Sequence, residues 1–157
     1  MPLSPVPTPV VRSLADDLRG RRDDELAQLL LARPDLARPE PADITALAAR
    51  SVTRAALSRA LDALDTGQLQ VLQGLAVVGP TPAGDLRPLA AALRSTPEQI
   101  APMVDGLWRV ALVWRNEGWH VPRPVVDLLG PHLAGLAPAG AGSQPAPRAA
   151  GDAQLDA

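Results

Sequence analysis

The sequence predicts a mainly α fold: an N-terminal helical hairpin, then three helices closed by one β-hairpin. Three observations predict it. Apolar residues recur at helical spacing through most of residues 13–109. Prolines and cap-forming residues cut that pattern into short segments. Beyond Arg109 the period changes to two, on either side of a turn containing glycine.

Residues 1–12 read as a disordered lead-in, rich in proline and without periodicity. Residues 13–64 are expected to form the helical hairpin. Ser13 is suited to cap a short helix, with Asp16 and Asp17 in its first turn, where the helix dipole favours carboxylates. Gly20 ends it, and Asp23 is expected to cap the next helix. Leu26, Leu29 and Leu30 then share one face. Pro34 disfavours helical geometry at Arg33 and lacks the N–H that would continue the ladder. The chain is expected to turn at "RPDL", run extended through "ARPEP" and restart at Asp43. Leu36 is left as an apolar plug between helices. Ile44, Leu47 and Ala48 resume the pattern, Thr53 restarts or kinks it, and Ala56, Leu57, Ala60, Leu61 and Leu64 complete it.

Residues 65–123 carry sharper signals. Asp65 and Gln68 fit a capping box ahead of Leu69, Leu72 and Ala76, with Val71, Leu75 and Val78 widening the face. Gly79 and Pro80 end that helix. Asp85 is expected to cap the next, with Pro88 in its first turn and Leu86, Leu89, Ala90 and Leu93 buried. "TPEQ" gives the strongest local signal: Thr96 as N-cap, Pro97 as first helical residue, Gln99 closing the box. Ile100, Met103, Val104, Leu107 and Trp108 follow on one face. "ALVWR" and "WHVPR" then flank Asn116-Glu117-Gly118, a three-residue loop in which Gly118 is expected to take the left-handed conformation. Helix, helix, helix, hairpin is the order of a winged helix-turn-helix. Residues 124–137 suggest a short C-terminal helix and 138–157 a disordered tail.

Three stretches, "DDELAQLLLARPDLARPEPADITALAAR", "ALSRALDALDTGQLQVLQGLAVV" and "VDGLWRVALVWRNEGWHVPRPV", resemble the N-terminal part of a family of actinobacterial helicase-associated-domain proteins. These proteins carry an XPB-like helicase N-terminal domain. The "RPDL" at Arg33–Leu36, the "LAAR" at Leu47–Arg50 and the "LW" at Leu107–Trp108 carry the resemblance, which covers roughly residues 13–136. It implies a long multidomain protein with winged-helix-like modules that works on DNA. This chain matches only the first modules, so a truncated member of that family is one expectation.

Composition removes whole classes of chemistry. No lysine occurs, so neither a standard P-loop nor a Schiff base is available. Cysteine is absent, which excludes disulfides and thiolate metal sites. His120 and His132 are spaced wrongly for a helical zinc motif. The carboxylates sit at helix starts, where capping explains them better than acid–base work. A non-enzyme is expected, with no cofactor, metal or small-molecule partner. The N-terminus lacks the pattern of a signal peptide, and "LQVLQGLAVVG" is too short to span a bilayer. No membrane partner and a cytoplasmic location are therefore expected. The net charge of -2 gives no bulk attraction for nucleic acid. The lack of Lys, Phe and Tyr matches GC-rich codon usage.

The candidate surface is local. The third helix should expose Glu98, Gln99, Pro102, Asp105 and Arg109, two acids against one base, which disfavours a DNA groove. The hairpin region offers Arg109, Arg115, Arg123 and Trp119 as tentative DNA-binding residues. Trp114 and Trp119 are expected to pair across the strands. The tryptophans have a plainer role as well, packing the wing onto the third helix. The function expected is a non-catalytic DNA-associated module making weak, sequence-independent backbone contact. Its partners would be DNA backbone and other domains or subunits of a helicase or repair assembly. The alternative is a protein–protein docking module with no direct DNA contact.

Overall fold

A computed structural model describes residues 11–130. The expectations for residues 1–10, for His132, for residues 131–137 of the C-terminal segment and for the tail lie outside the described residues. Within them the fold is mainly α with one small antiparallel hairpin. Eight helices run in order: α1 Leu14–Arg19, α2 Asp23–Ala32, α3 Ile44–Ser51, α4 Arg54–Asp62, α5 Thr66–Val78, α6 Arg87–Ala92, α7 Pro97–Arg109 and α8 Arg123–Leu129. The strands are β1 Trp114–Asn116 and β2 Gly118–His120, between α7 and α8.

The N-terminal part is four short helices rather than one hairpin. Ser13 caps α1 through its hydroxyl, which accepts from the Asp16 N–H. Asp23 is not the cap of α2 but its first residue; Arg22 stands at the cap, and the Glu25 carboxylate accepts from its N–H at 2.9 Å. Pro34 does stop α2, and Pro34–Leu36 coil into a 3-10 turn that drops Leu36 into full burial. The following "ARPEP" run is bent, not extended. Asp43 caps α3 and Thr53 caps α4, so Thr53 marks a new helix rather than a kink.

Helices α5, α6 and α7 pack on one another. The capping boxes at Asp65–Gln68 and Thr96–Gln99 both form. Asp85 does not cap α6: Leu86 occupies that position, and Asp85 accepts from the N–H and guanidinium of Arg87, one residue further on. Gly74 on α5 lets α6 come close, since a Cβ there would lie 2.6 Å from Leu89 Cδ1.

The hairpin is shorter than the alternation suggested. Ala111–Val113 are not strand. Ala111 has φ 58 and its N–H bonds to the Trp108 carbonyl, while the Leu112 N–H bonds to that of Leu107. These two bonds close α7 in a Schellman turn. The strands meet around Glu117 alone, and it is Glu117, at φ 54, that takes the left-handed conformation. Gly118 serves a different need: a Cβ there would stand 2.6 Å from the backbone oxygen of Thr81.

Buried apolar residues form two clusters. One joins α4 to α5–α8 and β2 through Leu57, Leu72, Leu89, Leu107, Trp119 and Val125. The other joins α1–α4 through Leu14, Leu18, Leu29, Leu36 and Leu47, and takes in Ala111 from beyond α7. Neither cluster stops at residue 64. α8 begins at Arg123, one residue earlier than expected, and Leu129 is its last residue. No helix among the described residues is long and apolar enough to cross a membrane.

Candidate functional site

The end of α7 is where the two clusters meet, and buried arginines hold it. Burying a guanidinium is costly unless its donors are satisfied. Arg21 satisfies them with the Asp17 carboxylate, to which Nε and Nη2 each donate at 3.0 Å. Its Nη2 also donates to the Trp108 carbonyl at 2.6 Å, and Nη1 to that of Arg109 at 3.4 Å. Arg33 donates to the Val110 carbonyl at 3.0 Å and to that of Ser51 at 2.8 Å. Three successive carbonyls at the negative end of α7 thus receive cationic donors. Burial lowers the pKa of Arg21, opposed by the charge and hydrogen bond of Asp17; burial also lowers that of Arg33, opposed by Asp35. Both stay charged, because guanidinium starts far above neutrality.

Asp17 is the hub. Besides Arg21 it accepts from Trp108 Nε1, at 3.1 Å to either oxygen, and from the Arg115 N–H at 3.4 Å. The Arg21 guanidinium lies 3.9 Å from the Trp108 ring centroid. So Trp108 ties α7 to α1, and it also packs against the main cluster that holds Trp119 of the hairpin. Asp16, next in sequence, stays at the surface and pairs with Arg19. The expectation that both acids merely decorate a helix start holds for Asp16 and fails for Asp17, whose partners lie in α7 and β1. The i,i+4 spacing of Asp17 and Arg21 was the one available signal.

The hairpin orders its side chains differently from expectation. Trp114 stands opposite His120, ring centroids 4.2 Å apart and nearly parallel, instead of pairing with Trp119. Trp119 stands opposite Arg115, whose guanidinium carbon lies 5.3 Å from its ring centroid. Trp119 is largely buried in the main cluster, while Arg115 is exposed.

Three of the four residues singled out from the sequence come together. Arg115 and Trp119 line a cleft of about 300 Å³ with Trp108, Asp105 and Asp17. Arg109 lines a neighbouring cleft of about 250 Å³ that shares Trp108 and Asp105 and adds Asp24, Glu25 and Gln28 from α2. Arg123 does not line either cleft. It opens α8 and is paired with Asp127 at 3.0 Å. The exposed face of α7 carries Glu98, Gln99, Pro102, Asp105 and Arg109, as the periodicity indicated. Helix α2 packs against α7.

Comparison with protein-family models, with curated proteins and with solved structures gives no match.

Proposed function

We propose that this chain is a non-catalytic, nucleic-acid-associated module of winged-helix type, part of a helicase-associated protein like those its sequence resembles. The hairpin makes the contact, weakly and without reading sequence, and α7 stays out of the groove. The observation that carries this reading is the placement of Arg115. It is exposed, lies over Trp119 and has no carboxylate within ion-pair distance among the described residues. Arg109 stands nearby on the last turn of α7. An exposed guanidinium beside an indole suits a phosphate and a neighbouring base or sugar. The acidic Glu98 and Asp105 on the exposed face of α7, with α2 packed alongside, argue against groove insertion.

The test is a titration against labelled duplex and single-stranded oligonucleotides over a range of salt. Weak binding that falls with salt along a shallow line, corresponding to about one or two phosphate contacts, is expected. A folded sample that binds neither oligonucleotide at the lowest salt removes the proposal.

A second reading has its own observation. The Glu98 and Asp105 face of α7, with Asp24 and Glu25 beside it, suits a protein partner with a basic surface. Salt-sensitive binding to a cationic peptide, with none to DNA, would select that reading.

A further inference from the structure

A third cavity lies away from the hairpin, between the end of α2, the end of α4 and the flank of α7. Its volume is about 460 Å³, within the range of roughly 300–1,000 Å³ typical of small-molecule sites. Ala60, Leu64, Gly106 and Val110 supply much of an apolar lining, and no aromatic ring is among the lining residues. Two guanidiniums, Arg33 and Arg59, share that lining with one carboxylate, Asp35.

The charges there are incompletely matched. Arg33 is 3% exposed, and its two terminal nitrogens bond only to the carbonyls of Val110 and Ser51. Its Nε is the one buried side-chain polar atom without a hydrogen-bond partner among the described residues. No carboxylate lies within ion-pair distance of Arg33 among those residues. Asp35 is instead 4.0 Å from Arg59, whose side chain is 68% exposed. Asp35 thus acts on Arg33 only from beyond contact, and a buried cation without an ion-pair partner is stabilised by a further anion nearby.

We infer that this cavity is a binding site for a small organic anion with an aliphatic body, such as a medium-chain carboxylate. The tail lies along Ala60, Leu64 and Val110. The carboxylate sits toward Arg59, where it adds negative charge beside Arg33. This departs from the expectation of no small-molecule partner, and nothing in the hairpin depends on this site. Its failure and that of the nucleic-acid proposal are therefore separate results.

The test uses the full chain and calorimetric titration with octanoate below its micellar range, with octanol and octylammonium as neutral and cationic counterparts. Saturable binding of octanoate is expected, about tenfold tighter than octanol, with octylammonium not binding. Two variants fix the location. Gly106→Leu fills the cavity from α7; a Cβ at this position meets only Gln68 Nε2, at an ordinary 3.6 Å. It is expected to fold and to lose octanoate binding. Arg59→Gln leaves the cavity open, removes the exposed charge and is expected to weaken octanoate alone. Absence of saturable binding, equal binding of all three ligands, or unchanged octanoate affinity in a folded variant overturns the inference. If Gly106→Leu does not fold, Arg59→Gln decides.

Discussion

Asp17 joins α1 to α7 and β1 with a single carboxylate. Remove it, and Arg21 keeps its two carbonyl partners but loses its counter-charge in a buried setting. Breaking one half of a buried pair typically costs about 3–5 kcal/mol. Asp17→Ala is therefore expected to lower the stability of the chain by about 3 kcal/mol in chemical denaturation. A change under about 0.5 kcal/mol, the range of ordinary surface substitutions, would mean that the pair is solvated. This residue also marks the limit of sequence reading. Ser13, Asp65 and Thr96 were legible because each cap bonds to a backbone N–H three residues away. Asp17 sits among first-turn acids, and its partner Trp108 is 91 residues distant. No local pattern records such a pair. Arg33 was hidden in the same way, read as the residue before a proline when its guanidinium ties α7 to α3.

Among the elements, α7 is the most fully specified by sequence. Its capping box and first-turn proline agree, Ile100, Val104 and Leu107 are buried as expected, and Glu98, Gln99, Pro102, Asp105 and Arg109 are exposed; Met103, expected on the apolar face, is exposed at its edge. Thr96→Ala removes the hydroxyl that accepts from the Gln99 N–H and is expected to cost about 1 kcal/mol. Hydrogen exchange should show that loss at the first turn of α7; unchanged protection there would show that tertiary packing alone holds the turn. The hairpin was less legible for a physical reason. Ala111, Leu112 and Val113 are fully buried, and a short apolar run bounded by turns fits a strand or a helix terminus equally well. The Schellman turn decides it, and that turn relies on Ala111 at positive φ, where glycine is the usual residue. The register is the one that a loop at Asn116–Gly118 implies, with Arg115 opposite Trp119 and Trp114 opposite His120, so the two tryptophans are not cross-strand partners.

At the scale of the whole molecule, the N-terminal helices and the three-helix core are stitched together at the end of α7. Arg21 and Arg33 reach across from one side, while Leu57 and Ala111 each belong to the cluster beyond their own segment. The element order was legible from periodicity and caps. This stitching was not, because it depends on contacts far apart in sequence. In this arrangement α7 is held against α2, and the hairpin carries the exposed Arg115 beside the cleft lined by Trp108 and Trp119. The most direct measurement is a charge-reversal map of oligonucleotide affinity at low salt. Arg115→Glu and Arg109→Glu are compared with Arg12→Glu and Arg54→Glu, all at exposed positions. The expected result is a loss of about tenfold at Arg115, less at Arg109, and a reduction of the salt slope by about one at Arg115. Arg12→Glu and Arg54→Glu should bind as the parent does. Equal losses at all four sites, or full affinity in Arg115→Glu, would contradict contact through the hairpin.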